Sequence, residues 1–241
     1  MRYAIFGDIH ANWEALQAVL AHSKGEGCES YVCMGDIVGY NADPSLCLEA
    51  IREMDCPIVK GNHDEDCSQQ ELKSNTNPIA AEAQRWTYDQ LTEDQRNWLQ
   101  SLRYVRQVEK FTIVHASLDQ PQQWHYVTNK FDAMASLAYQ FTQLCFIGHS
   151  HLPQFYIRED SVKHLEGVTE LTLDPNKKYL INVGAVGQPR DEDWRASYCV
   201  YDTETKVAKI HRVEYDIKTT QQKILDAGLP EALAERLALG K

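Results

Sequence analysis

The sequence has no long apolar run. None of its 241 residues belongs to a stretch that approaches the length of a membrane-spanning helix. The first ten residues, MRYAIFGDIH, enter a short apolar run directly and lack the h-region and small-residue cleavage site of a signal peptide. These two absences predict a cytoplasmic protein with no membrane partner.

Paired cysteines are also missing. The number of cysteines is odd, they are scattered along the chain, and no CxxC pair occurs. This pattern argues against a disulfide framework and against a structural zinc knuckle. We therefore expect reduced thiols that fill the core. The seven residues are Cys28, Cys33, Cys47, Cys56, Cys67, Cys145 and Cys199.

Positive charge is scarce, because 24 Lys and Arg residues face 35 Asp and Glu residues and leave a formal net charge of −11. A surface of this sign repels duplex nucleic acid, and the sequence contains no Lys/Arg cluster that would offset the repulsion. We therefore expect no nucleic-acid partner. A phosphorylated ligand would need a local cationic feature, which a bound metal can supply.

Repeats, low-complexity tracts and Pro/Gly/Ser linkers are absent, so the length favours a single domain over residues 1–241. The first third alternates short strands, at Tyr3–Phe6, Tyr31–Met34 and Pro57–Val59, with helices. Apolar residues recur at helical spacing from Trp13 to Leu20, and Asp43-Pro44 is typical of a helix start. This βαβα opening predicts an α/β layered fold.

The rest of the chain divides into three parts. Residues 65–101 carry two helix-start signatures, Asn77-Pro78 and the capping box that begins at Thr92, and predict a helical insertion. Residues 216–239 predict C-terminal helices with a break at 228–230. Between these parts we expect strands at 104–108, 111–114 and 145–147, a helix over 131–139, and mainly strand from 155 to 213.

Five apolar runs each end in side chains that can bind metal, and these clusters contain five of the nine histidines. Ligands of open α/β sheets bind beyond the carboxyl ends of the strands, so one crevice could collect all five clusters. Four have a glycine just before the polar group, which lets the backbone approach its neighbours closely. The clusters are Asp8-Ile9-His10, Asp36, Asn62-His63-Asp64, His115 and His149-Ser150-His151.

Imidazole, carboxylate and amide groups together suit Mn, Fe, Co, Ni or Zn better than Mg or Ca, which prefer shells made only of oxygen. Two such ions about 3.5–4 Å apart can clamp a phosphoryl group and generate hydroxide near neutral pH. A pair of ions at this spacing needs a bridging carboxylate that offsets their repulsion.

The ordered set DxH, GD, GNHD, H and GHxH resembles the calcineurin-like metallophosphoesterase superfamily. The resemblance runs from Asp8 to His151, with a further likeness at Asn182–Arg190. Any single motif is weak evidence, but five in this order are specific. The resemblance implies a four-layer α-β-β-α sandwich and two divalent or transition metal ions, with manganese preferred over Fe, Zn, Ni and Co.

The resemblance also implies a role for each matched residue. One ion would be bound by Asp8, His10 and His151, the other by Asn62, His115 and His149, with Asp36 bridging them. His63 would contact the phosphoryl oxygens or protonate the leaving group, and Asp64 would orient the His63 ring. A hydroxide bridging the two metals would be the nucleophile. Asp64 can alternatively cap a helix, and the two roles are compatible.

Two departures from motifs found in other branches of the superfamily narrow the choice of subfamily. Protein serine/threonine phosphatases and symmetrical dinucleoside tetraphosphatases carry an arginine soon after the GD motif and usually GNHE. Here Gly35-Asp36 is followed by Ile37-Val38-Gly39-Tyr40, and the third motif is GNHD. The closer likeness is to small bacterial and archaeal phosphodiesterases, including asymmetric dinucleoside tetraphosphatase-like members.

We therefore predict a hydrolase of phosphodiester or phosphoanhydride bonds in small molecules, plausibly nucleotides. One alternative is a phosphomonoesterase or protein phosphatase. Another, from a different class, is a catalytically silent binding scaffold, which the intact ligand set disfavours. The oligomeric state is open.

Three residues are candidates for substrate binding: Asn12, Tyr40 and Arg190. Helix-start and turn chemistry explains Asn12 and Tyr40 nearly as well, and Arg190 could instead pair on the surface with Asp191 or Asp193. The aromatic side chains of residues 124–126 could stack on a nucleobase or simply pack their loop. Three further histidines are not expected to bind metal: His22, His164 and His211.

Overall fold

Two β-sheets form the centre of the fold. The computed structural model describes residues 1–70 and 77–241. The first sheet contains five strands, numbered in chain order through the protein: β1 (Arg2–Phe6), β2 (Ser30–Cys33), β8 (Glu170–Thr172), β10 (Ala196–Asp202) and β11 (Val207–Val213). Their order across the sheet is β2-β1-β10-β11-β8. β1 and β2 are parallel, so their carboxyl ends point in the same direction.

The second sheet contains six strands: β3 (Val105–Val108), β4 (Phe111–Val114), β5 (Leu144–Ile147), β6 (Gln154–Arg158), β7 (Val162–His164) and β9 (Lys178–Asn182). Their order across the sheet is β3-β4-β5-β9-β6-β7. β4 and β5 run parallel, as do β5 and β9, whereas β3 and β6 run antiparallel to their neighbours β4 and β9.

Eight α-helices and one short 3-10 turn, Pro121–Gln123, lie in the described parts of the chain. None of these helices is long and apolar enough to cross a lipid bilayer. The helices are α1 (Trp13–Gly25), α2 (Pro44–Glu53), α3 (Asn62–Asp66), α4 (Pro78–Gln90), α5 (Glu93–Ser101), α6 (Lys130–Ala138), α7 (Ile217–Asp226) and α8 (Glu231–Leu239).

The two sheets pack face to face, and alternation along β1 shows why. Tyr3 and Ile5 join the core between the sheets, where they meet Phe111 and Phe146 of the second sheet, whereas Ala4 and Phe6 point to the other face. Successive strand residues point to opposite faces, so one apolar strand can serve two cores. Burying a side chain such as Ile5 or Phe146 stabilises the fold by about 1.5–3 kcal/mol.

Helices cover the outer face of each sheet. Leu16 and Val19 of α1 pack with the outward residues of β1, and Ala133 and Leu137 of α6 pack with Cys145 of β5. The resulting order is helix, sheet, sheet, helix. The predicted α/β four-layer α-β-β-α sandwich is therefore confirmed.

The helix-start signals in the predicted insertion act as expected. Thr92 Oγ1 accepts from the Gln95 amide at 3.2 Å, and Gln95 Oε1 accepts from the Thr92 amide at 3.0 Å, which completes the capping box before α5. Asn77 caps α4 through the amide of Ile79. The predicted insertion over 65–101 includes residues 71–76, which lie outside the described residues. The predicted C-terminal helices are present as α7 and α8.

One helix start is confirmed and one strand prediction is wrong. Asp43 is the N-cap residue of α2 and Pro44 its first residue, as predicted, although the Asp43 carboxylate binds Lys223 Nζ at 2.7 Å and makes no side-chain cap. The predicted strand at Pro57–Val59 is reduced to a single parallel bridge between Ile58 and Cys33. The chain leaves the edge of β2 there, since the next amide, that of Lys60, donates to the Arg103 carbonyl at 2.8 Å.

Candidate metal centre

The carboxyl ends of β1, β2, β4 and β5 carry six of the seven predicted ligands, and the seventh, Asn62, is the first residue of α3. Two of these strands belong to each sheet, so the ligands meet where the two sheets adjoin. Two overlapping groups result, each with its potential ligand atoms within 4.8 Å of one another. The first group is Asp8, His10, Asp36 and His151, and the second is Asp36, His115 and His149.

In the first group, ring nitrogens and carboxylate oxygens surround one small volume. His151 Nε2 lies 3.2 Å from Asp8 Oδ1, and His10 Nε2 lies 3.6 Å from Asp36 Oδ2. The two imidazole nitrogens are themselves only 3.1 Å apart. All four side chains are buried, so bulk water does not separate these groups.

The second group shares Asp36 with the first. His115 Nε2 lies 3.4 Å from Asp36 Oδ2. His115 Nε2, His149 Nε2 and Asn62 Oδ1 are buried, and none has a hydrogen-bond partner in the part of the chain that the structure describes. Buried polar atoms without hydrogen-bond partners are unusual in native proteins, and these three are the types of atom that bind metal ions.

Backbone carbonyls determine which ring nitrogens face the centre. Nδ1 of His10 lies 3.2 Å from the Val38 carbonyl, Nδ1 of His115 lies 2.7 Å from that of Met34, and Nδ1 of His151 lies 2.5 Å from that of Gln188. A carbonyl oxygen only accepts, so each Nδ1 carries a proton and each Nε2 faces the centre. Metal-binding histidines are commonly held in this way.

Burial keeps several of the rings neutral. It lowers the pKa of His10, His149 and His151, and the positive charge of Arg190 lowers the pKa of His151 further. For His115, burial opposes protonation, but the charge of Asp36 raises the pKa to about 10. This cluster thus attracts positive charge, and its mixture of imidazole and carboxylate groups fits a divalent transition metal ion.

The backbone is strained where it presents these ligands. Five of the seven predicted ligands adopt the left-handed region, with φ between 49° and 66°. Such residues cost about 1–3 kcal/mol each and persist where the surroundings fix them, which is common at functional sites. The five are Asp8, His10, Asp36, His149 and His151.

Two glycines allow the close approach that the sequence predicts. A Cβ atom at Gly148 would collide with the Asp8 carboxylate, and one at Gly61 would collide with the Asp36 carboxylate. Only a residue without a side chain fits these positions, so the loops that follow β5 and precede α3 can come close to the acidic ligands.

His63 lies beside the first ligand group. Its ring centroid is 4.8 Å from that of His10 and 4.4 Å from that of Tyr40, and its Nδ1 is buried without a partner among the described residues. Burial lowers the pKa of His63 to about 4. The backbone amide of His63 donates to Asp36 Oδ1 at 2.8 Å, which ties this residue to the centre.

Asp64 does not orient the His63 ring. Its two oxygens accept from the backbone amides of Asp36, Ile37 and Gly61 at 2.8–2.9 Å. Burial and the nearby charge of Asp36 raise the pKa of Asp64 to about 7, although these amides oppose the shift. The predicted orienting role is therefore corrected: Asp64 caps backbone amides and holds the loop that carries Asp36.

Arg190 faces the centre. Its Nη2 lies 3.4 Å from the Tyr40 hydroxyl and 3.3 Å from Gln188 Oε1. The alternative surface pairing is not formed, because Asp191 binds Arg212 and Asp193 binds Arg195. The guanidinium therefore keeps its donors available beside the ligand cluster.

The other two substrate-binding candidates are buried. Asn12 Oδ1 accepts from the amide of Ala15 and the hydroxyl of Thr220, and Nδ2 donates to the Gly187 carbonyl. The side chain of Asn12 thus caps α1 and has no face for a substrate, which corrects that prediction. Tyr40 packs its ring against His10 at 4.6 Å, and only its hydroxyl reaches toward Arg190.

Sequence reasoning missed two residues and undervalued a third. Gln188 holds His151 through its carbonyl and contacts Arg190 and Arg236 through its side chain. Arg236 of α8 lies 4.3 Å over the Tyr40 ring. Tyr126, considered only as a loop aromatic, stacks on His149 at 4.1 Å. Tyr126 had a sequence signal in its position after His115, and Gln188 lies in the likeness over Asn182–Arg190, whereas the contacts of Arg236 depend on tertiary structure.

Comparison with known proteins agrees with this geometry. The sequence profile of the calcineurin-like phosphoesterase superfamily domain matches residues 1–206. An uncharacterized protein of Methanocaldococcus jannaschii is 40% identical over 99% of this chain and 98% of its own length. The crystal structure of a metallophosphoesterase from Sphaerobacter thermophilus is 39% identical, with a TM-score of 0.88, and covers 100% of this chain and 99% of that one.

More distant structures share the fold. A hypothetical protein from Pyrococcus horikoshii OT3 has a TM-score of 0.82 at 19% identity over 100% of this chain and 98% of its own. A putative diadenosine tetraphosphatase has a TM-score of 0.53 at 13% identity over 89% of this chain and 94% of its own. The match over residues 1–206 and the buried aspartate and histidine cluster lead to one conclusion. The chain belongs to the calcineurin-like phosphoesterase superfamily and is a metal-dependent phosphoesterase.

Proposed function

We propose that this enzyme hydrolyses phosphodiester or phosphoanhydride bonds of small molecules, with nucleotides as the leading substrate class, at a centre of two divalent ions. The observation that carries the proposal is the position of Asp36, whose carboxylate belongs to both ligand groups. A carboxylate shared in this way suits a bridge between two cations.

The proposed ligands follow the two groups. Asp8, His10 and His151 would hold one ion, Asn62, His115 and His149 would hold the other, and Asp36 would be shared by both. Manganese is our first choice, ahead of Fe, Zn, Ni and Co, because the donor set mixes oxygen with imidazole nitrogen. When bound, such ions polarise the phosphoryl group and lower the pKa of water toward neutrality.

The chain's own residues supply the remaining functions. His63 lies next to the first ligand group and contacts the phosphoryl oxygens or moves a proton to the leaving group. Arg190 donates hydrogen bonds to a phosphoryl oxygen, as guanidinium groups commonly do. Asp64 acts on catalysis through Asp36, since it fixes the backbone that carries this ligand.

The choice of substrate rests on charge and on the loop after Asp36. A diester or internal phosphoanhydride carries less charge per phosphorus than a monoester, so one arginine beside the metals suits it better. The loop after Asp36 lacks the arginine of the protein phosphatases, and the net charge of −11 disfavours nucleic acid as substrate. We therefore place phosphomonoesterase activity second.

We also propose that the enzyme works in the cytoplasm. All seven cysteines are free thiols in the structure, and six of them are buried. Free thiols are typical of proteins kept in a reducing compartment. Fractionation of the cells that produce this protein tests the assignment directly.

The proposed activity is tested by hydrolysis assays after reconstitution with Mn²⁺, Ni²⁺, Co²⁺, Zn²⁺ or Mg²⁺. The panel pairs bis(p-nitrophenyl) phosphate with p-nitrophenyl phosphate and adds dinucleoside polyphosphates and cyclic nucleotides. We expect the diester to be cleaved at least about tenfold faster than the monoester. Asp36→Asn serves as the inactive control and His164→Gln, at the end of β7, as the matched active one. A strong monoester preference would overturn the substrate choice.

A further inference from the structure

A second group of potential ligands lies at the opposite end of α1 from the metal centre. His22 is in the last turn of α1, Glu26 follows that helix directly, and His211 is on β11. One ligand atom from each lies within 4.8 Å of the other two. His211 Nε2 is 3.8 Å from Glu26 Oε2, and the two imidazole rings are 5.2 Å apart between centroids.

His211 has an unsatisfied nitrogen in this group. Its side chain is only 11% exposed, and its Nε2 is buried without a hydrogen-bond partner among the described residues. Burial lowers the pKa of His211, the charge of Glu26 opposes this effect, and those of His22 and Lys209 add to it. The ring is therefore mainly neutral near pH 7 and keeps the lone pair that a metal ion needs.

Tyr198 fixes both imidazole rings. Its hydroxyl lies 2.8 Å from His22 Nδ1, and its own ring stacks on His211 at 5.4 Å. Tyr198 is fully buried on β10, so its position is set by the core. Hydrogen bonding to the other ring nitrogen is the usual way in which proteins orient a metal-binding histidine.

A cavity of about 230 Å³ adjoins two of the three potential ligands. Glu26 and His211 line the cavity together with Arg2, Asp202 and Lys209. Glu26 is 41% exposed, so the entrance lies at the surface. Three protein ligands with solvent at one side leave room for water to complete a coordination shell.

We propose that His22, Glu26 and His211 bind one divalent ion of the zinc class, distinct from the catalytic centre. Two imidazoles and one carboxylate favour Zn²⁺, Ni²⁺ or Cu²⁺ over Mg²⁺ and Ca²⁺. The ion would join the carboxyl end of α1 to β11. The thirteen residues of α1 span about 20 Å, which separates this site from the ligands that precede the helix.

The test is the zinc content of the full-length protein after equilibrium dialysis, measured by elemental analysis. We expect wild type and His164→Gln to hold one more zinc per chain than either His211→Gln or Glu26→Gln. Glu26→Gln keeps the size of an exposed side chain, so it tests the site even where His211→Gln impairs folding. Phosphodiesterase activity should change less than about twofold in Glu26→Gln. Equal zinc content in wild type and both variants would overturn the proposal.

The readout separates this proposal from the proposed function. Loss of the second catalytic ion would lower the zinc content of wild type and variants equally, and their difference of one ion would persist. After dialysis against Mg²⁺ in place of Zn²⁺, wild type and the two variants should hold the same number of ions per chain. A difference that persists with Mg²⁺ would contradict the assignment to the zinc class.

Discussion

The two ends of α1 present similar side chains in contrasting environments. Before the helix, Asp8 and His10 are fully buried, and a backbone carbonyl holds the His10 ring. At the carboxyl end of the helix, His22 and Glu26 are partly exposed, and a tyrosine hydroxyl holds the His22 ring. The comparison shows that the same types of side chain can gather in an enclosed or in an open environment, according to what surrounds them.

Enclosure has chemical consequences. In the centre before α1, buried carboxylates and imidazoles act at low dielectric, where their attraction for a cation is strong. The group after α1 faces water on one side, which screens Glu26 and lowers its attraction for an ion. We therefore expect an ion at the second site to exchange faster with chelators than those at the centre.

Asp36→Asn should have the largest effect on activity, and it should weaken metal binding at the centre before α1 but not at the group that includes His22 and His211. The bridging charge is lost, so both catalytic ions bind weakly, and activity falls about a thousandfold or more, a loss of several kcal/mol of transition-state stabilisation. The ion at His22 and His211 should remain, as elemental analysis would show. Normal activity and full metal content in this variant would contradict the bridging role.

His63→Ala should slow turnover by about a hundredfold or more, the usual contribution of a proton-transferring side chain. The metal content should stay within error of wild type, because His63 belongs to neither ligand group. Steady-state kinetics and elemental analysis of the same preparation check both points. Loss of metal together with activity would mean that His63 is a ligand.

Arg190→Gln should raise KM about tenfold and change kcat less, because the side chain binds the phosphoryl group in both the ground state and the transition state. Arg195→Gln is the matched control, since that arginine pairs with Asp193. An unchanged KM in Arg190→Gln would place the substrate elsewhere.

Asp64→Asn should have the smallest effect on chemistry and should mainly lower stability. Replacing one oxygen with an amide NH₂ places a donor against backbone donors, at a cost of about 1–3 kcal/mol. Denaturant unfolding of the metal-free protein measures the change. A variant as stable as wild type would show that the contacts to Asp36, Ile37 and Gly61 contribute little.

Sequence patterns could predict the centre before α1 because its ligands are encoded locally. Each follows a short apolar run, and glycines such as Gly61 and Gly148 mark where loops approach the acidic residues. The group after α1 has no such signal. His22 and His211 are 189 positions apart, and only the packing of α1 against β10 and β11 brings them together.

The fold could also be predicted where its signals are local in the sequence, and not where they depend on distant residues. The capping signals of α4 and α5 act locally, so these helix starts were correct, and the layers agree with the βαβα opening and with the resemblance carried by the five motifs. The bond from Asp43 to Lys223 and the contact of Asp64 with the Asp36 amide were not predicted, because these partners are distant in sequence. The partner of a carboxylate depends on the tertiary structure, so a local sequence pattern cannot predict it.

The most direct test of the central claim is a crystal structure of the manganese-loaded enzyme with anomalous data collected near the manganese edge. We predict two peaks about 3.5–4 Å apart, with the Asp36 carboxylate in contact with both. A single peak at full loading, or two peaks of which only one touches Asp36, would contradict the account.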